Sequence, residues 1–158
     1  MRRRGPIIWL PLAVMLAIGL VASSVPADDP VGPRDGIRAA ATAAEESYRA
    51  GVEQVAGSSA AMADFRKSAE QWSRAIELGA DGPAAWFNLG NALLRGGRVG
   101  EAIVAYRHAL TRPDVDRPEV LWYLANALWK AERFQEAIEV AEESLRLDPD
   151  FTEGWVSL

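Results

Sequence analysis

The side chains that could do chemistry are few and scattered. His108 is the only histidine in 158 residues, and it stands between Arg107 and Ala109, one position off an apolar helical stripe. The expected role is a solvated surface imidazole. Asp114 and Asp116 flank Val115, but the stretch lacks the further oxygen ligands of a calcium loop, so they read as turn formers. Glu45-Glu46, Glu136 with Glu139, and Glu142-Glu143 have the spacing of solvated helix faces. Gly96-Gly97 has neither the preceding strand nor the following Lys-Ser pair of a phosphate-binding loop. Cysteine is absent, which excludes disulfides, thiol nucleophiles, thiolate metal sites and a lipidated N-terminal cysteine. No acid, base, nucleophile or metal ligand converges with another, so the expectation is a non-enzymatic protein without metal or cofactor.

What does recur is a spacing of 35 residues. Trp86-Phe87-Asn88-Leu89-Gly90-Asn91-Ala92-Leu93 aligns on Leu121-Trp122-Tyr123-Leu124-Ala125-Asn126-Ala127-Leu128, and Gly100-Glu101-Ala102-Ile103 aligns on Gln135-Glu136-Ala137-Ile138 at the same offset. A fixed period of this size signals stacked supersecondary units.

The elements that carry these residues follow from apolar positions recurring at three and four. Pro30, Gly32 and Pro33 make residues 28–34 a linker. Asp35 is expected to cap a first helix with Ile37, Ala41, Ala44, Tyr48, Val52 and Val55 on its apolar stripe, stopping at Gly57-Ser58-Ser59. A second helix carries Met62, Phe65, Ala69, Trp72 and Ile76 and ends near Leu78-Gly79. In the first clear unit Trp86, Leu89 and Leu93 form one stripe and Val99, Ile103, Tyr106 and Leu110 the next. In the second, Leu121, Leu124 and Leu128 are followed by Phe134, Ile138, Ala141 and Leu145, and Asp148-Pro149 closes the helix. No run alternates with period two.

Residues 83–117 and 118–151 resemble the tetratricopeptide repeat, through Trp86, Leu89-Gly90, Ala102, Tyr106 and Ala109 in the first and Leu124, Ala137 and Pro149 in the second. Residues 35–82 resemble it more distantly, through Tyr48, Gly51, Phe65, Trp72 and Ala75, and residues 152–158 read as the start of a further unit. The likeness implies an all-α, right-handed superhelical stack of antiparallel helix pairs. About three units are needed for stability, so the distant pair should pack on Trp86. Trp86 and Trp72 are assigned to the core, and Gly90→Leu should destabilise by about 1 kcal/mol or more.

The resemblance further implies that first helices of successive units line a concave groove. That face carries Phe87, Asn91, Leu94 and Arg95, then Trp122, Asn126, Trp129 and Lys130, each pair again 35 apart. Aromatic rings beside amides and cations suit an extended peptide. Two alternatives stand beside this: Phe87 and Trp122 covered by an adjoining first helix, and Asn91 and Asn126 bonded to backbone or to each other. Glu119 and Tyr123 stand where a clamp for acidic chaperone tails would need cations. More narrowly, the repeat is similar to that of bacterial aerotolerance-operon (Bat-type) envelope proteins. Trp155 and Leu158 offer a second mode, self-association.

Before the repeats, Arg2-Arg3-Arg4, an apolar run over residues 7–21 and Val25-Pro26-Ala27 have the layout of a signal peptide. Cleavage after Ala27 is expected, with an uncleaved membrane anchor as the alternative; either implies export to the periplasm or envelope. Residues 1–27 hold three arginines and no acid, so the mature chain has 14 basic against 22 acidic residues and a charge of −8. That balance argues against nucleic acid and anionic bilayer surfaces as partners and for a protein or peptide.

Overall fold

The three-and-four spacing of apolar residues produces six helices: α1 (Pro33–Glu53), α2 (Ser59–Glu77), α3 (Pro83–Arg95), α4 (Val99–Leu110), α5 (Arg117–Lys130) and α6 (Phe134–Leu147). The computed structural model describes residues 33–54 and 58–150, and no strand occurs among them. The expected signal segment, its cleavage site, Val55 and the further unit at 152–158 lie outside the described residues. None of the described helices is long and apolar enough to cross a membrane.

Local chemistry sets the helix ends, with one departure from expectation. α1 begins at Pro33, so Asp35 lies in the first turn and does not cap it; proline suits that place because its missing N–H is unpaired there anyway. Ser58 caps α2, its Oγ accepting from the Ala61 amide at 3.1 Å. Gly82-Pro83 opens α3, and Gly97, at φ 83°, lets the chain reverse into α4. Asp116 caps α5, and Asp114 takes a positive φ of 59° in the preceding turn. Glu132, 35 residues after Gly97, adopts φ 60° in the reversal between α5 and α6. The two reversals share a hydrogen bond, Arg98 N to Leu93 O at 2.8 Å and Arg133 N to Leu128 O at 2.9 Å. α6 stops at Asp148, whose extended backbone is what Pro149 demands of its predecessor.

Packing is between chain neighbours. α1 pairs with α2, α3 with α4 and α5 with α6; α2 then packs on α3 and α4 on α5, and the first helices α3 and α5 touch. Trp72, Leu89, Leu93, Ile103, Tyr106, Leu124 and Leu128 fill the core. Ala44, Ala75, Ala92, Ala102, Ala109 and Ala127 are fully buried where helices cross, since larger side chains there would overpack. Within the first pair, Gly51 lies against the Phe65 ring. Two buried serines tie second helices to first ones, Ser68 Oγ donating to the Ala44 carbonyl at 2.8 Å and Ser144 Oγ to that of Pro118 at 2.7 Å.

Two packing expectations are corrected. Trp72 is core at 4 % exposure, but Trp86 is only half-buried. Its indole N–H donates to Asp81 at 2.6 Å and its ring stacks on His108 at 4.5 Å, because the indole N–H needs a polar partner and finds it at the helix-pair rim. His108 is exposed, yet serves as the lid of that stack. The α6 stripe is also less buried than its counterpart in α4: Ile138 is 48 % exposed where Ile103 is 3 %. The reason is that α5 covers Ile103, whereas no described helix covers Ile138.

Candidate functional site

All three tyrosines of the chain, Tyr48 on α1, Tyr106 on α4 and Tyr123 on α5, gather beside the first-helix face. Phe87 joins them from α3, its ring 5.1 Å from Tyr123 in T-shaped contact and 6.0 Å from Tyr106. Tyr106 and Tyr123 are 6.1 Å apart. Tyr106 is wholly buried and its hydroxyl donates to Asn91 Oδ1 at 2.8 Å, the partner that a buried phenol requires. Trp122 packs edge-on to Tyr123 at 4.8 Å. Tyr106 can come so close to α3 because Gly90 has no side chain to obstruct it.

Arg95 closes the cluster from the last turn of α3. Its guanidinium lies 5.3 Å from the Tyr48 ring centre and 5.7 Å from that of Phe65, a cation–π arrangement that ties α3 to the first helix pair. Burial pushes the three phenols above their usual range, Tyr106 furthest, while the Arg95 charge pulls each back. They therefore stay protonated at neutral pH and serve as hydrogen-bond donors and acceptors. Glu119, one turn before Tyr123, is half-buried, and burial, with Asp116 adding to it, raises its carboxyl. Glu45 on α1 is raised likewise by burial, against the pull of Arg49, and its Oε1 is buried without a hydrogen-bond partner.

The eight residues expected to line the groove divide accordingly. Phe87, Asn91 and Arg95 enter one cluster, with Trp122 on its edge beside Tyr123. Phe87 is half-covered by the adjoining first helix through Tyr123, and Asn91 bonds a tyrosine and neither backbone nor Asn126. Asn126 is half-buried, and its side chain makes no hydrogen bond among the described residues. Leu94 packs against the core. Trp129, 59 % exposed, turns to Phe134 at 4.8 Å, and Lys130 is exposed in the last turn of α5.

Sequence reasoning missed the tyrosines as a group, because Tyr48 and Tyr106 were absorbed into apolar stripes. The available signal was the hydroxyl: a phenol on a stripe opposite Gly90 must find a polar partner, and Asn91 is adjacent. Among the described residues no group of three or more histidine, aspartate or glutamate side chains gathers as a metal site would. The arrangement sets aromatic rings beside amide, hydroxyl and charged groups.

Two models described as tetratricopeptide repeat match the chain, one over residues 58–116 and the other over residues 118–151. The matches take in α2 to α6 and leave α1 outside. A comparison with curated proteins found no match, so the narrower likeness to aerotolerance-operon proteins gains no support from relatives.

Proposed function

Because the chain belongs to the tetratricopeptide repeat family, whose repeats generally mediate protein–protein interaction and are typically non-catalytic, we propose that it is an envelope scaffold or assembly factor that holds an extended segment of a partner protein across its first-helix face. The observation that carries this reading is the cluster of Phe87, Asn91, Tyr123 and Trp122. It presents aromatic surface and hydrogen-bonding groups from α3 and α5 side by side, the composition from which peptide grooves draw affinity and register. Trp129 and Lys130 extend the surface at the end of α5. The export reading rests on Arg2-Arg3-Arg4 and the apolar run at 7–21.

Partner capture tests it. Trp122→Ala combined with Trp129→Ala should abolish retention of partners from an envelope extract while circular dichroism stays unchanged. Undiminished retention would remove the groove.

A second reading is self-association through Trp155 and Leu158, which lie outside the described residues; it is favoured by the exposure of Phe134 and Ile138 on the preceding α6. Sedimentation of the protein with and without residues 152–158 separates the two, since only self-association makes the mass depend on concentration.

A further inference from the structure

Half-buried acids on the last helix and on the first helices are handled differently: Glu136 and Glu143 on α6 sit in ion pairs, whereas among the described residues Glu45 on α1 and Glu119 on α5 do not. The ion pairs Arg98–Glu101, Arg107–Glu136, Arg112–Asp81, Arg117–Glu143 and Arg133–Glu136 each place at least one member on a second helix or a turn. On the first helices, Glu119 and Glu45 make no ion pair among the described residues. Arg95 does not serve them, since its guanidinium faces the rings of Tyr48 and Phe65. Lys130 stands 11 residues beyond Glu119 on α5, about 16 Å along the axis at about 1.5 Å per residue.

A half-buried carboxylate without an ion pair carries a desolvation cost, which Arg49 offsets in part at Glu45 and which Asp116 adds to at Glu119. The N-terminal dipole of α5 accounts for an acid in its first turn, but not for the burial of Glu119. Nor does a dipole act on Glu45, which lies in the middle of α1. Trp122 and Tyr123 follow Glu119 by three and four residues on the same side of α5, and Tyr123 meets the rings of both Phe87 and Trp122 edge-on. An anion next to aromatic faces is the chemistry that receives an ammonium or guanidinium group, through charge and through the ring quadrupole together.

We propose that the partner segment is basic, and that one of its lysine or arginine side chains seats at Glu119 against the rings of Tyr123, Phe87 and Trp122. This rests on the groove reading above and specifies its ligand class. The cation removes the desolvation cost that Glu119 bears alone, so the gain exceeds that of an exposed ion pair. The acidic balance of the chain, −5 overall, steers such a segment toward it.

The test uses the full chain and three pools of labelled peptides about ten residues long, randomised except for lysine, glutamate or glutamine fixed at every third position. Anisotropy should show the lysine pool binding tightest. Glu119→Gln should weaken it about five-fold or more, while Glu142→Gln, an equal charge loss on an exposed helix face, changes it less than about two-fold. Equal binding of the lysine pool to the Glu119→Gln and unaltered chains overturns the proposal, as does tighter binding of the glutamate pool; in both cases the groove itself survives. No binding by any pool removes the groove and the proposal with it.

Discussion

Tyr106 occupies the space that Gly90 leaves vacant: a β-carbon added at Gly90 would stand 2.5 Å from Tyr106 Cε1, inside any real contact distance. One repeat later the same two positions hold Ala125 and Ala141. The pair changes together, a large ring over no side chain in one unit and two small side chains in the next.

Gly90→Ala should therefore destabilise the protein by about 1–3 kcal/mol in urea denaturation. In a Tyr106→Ala background the obstruction is gone and only the helix preference of alanine remains, so the same change should stabilise by roughly 0.5–1 kcal/mol. A cost of equal size in both backgrounds would show that the ring is not the cause.

Glu132 sits at φ 60° in the place where the preceding unit has Gly97 at φ 83°. A side chain in that conformation costs about 1–2 kcal/mol, and glycine gives part of this back through unfolded-chain entropy. Glu132→Gly should stabilise by roughly 0.5–1 kcal/mol, and Gly97→Glu should destabilise by about 1 kcal/mol or more. Thermal midpoints moving in the same direction for both variants would contradict the shared geometry.

Glu119 gives a pH-dependent stability. Its carboxyl is raised in the fold, chiefly by burial, so the neutral form is the better tolerated one. Its stabilising share is complete below the unfolded carboxylate range and is lost as pH rises through the folded value. Glu119→Gln should thus raise the urea midpoint at about pH 7 and leave it unchanged near pH 3.5. A lowered midpoint at neutral pH would mean that the carboxylate has a partner in solution.

How much of this was written in the chain depends on the kind of contact. Trp72, Leu89, Ile103 and Leu124 were legible because a helix buries every third or fourth residue, and the offset of 35 gave the two best units. The small residues Gly90, Ala102 and Ala137 were legible for the same reason, as places where helices cross. Trp86 was not, since the stripe says which side of the helix it occupies but not how far it lies from the rim, where Asp81 and His108 meet it. The tyrosine cluster joins α1, α4 and α5, and periodicity within one helix carries no information on which helices meet. The exposure of Ile138 is likewise a property of its neighbours and not of its own stripe.

In kinetic terms, every extensive contact of the stack is made between helices consecutive in the chain. A fold of that kind closes only short loops on its way to the native state, so its entropic barrier is low and any one helix pair can serve as the starting point. The order of events is then set by local packing: α6, with Phe134 and Ile138 exposed, should be the last to hold.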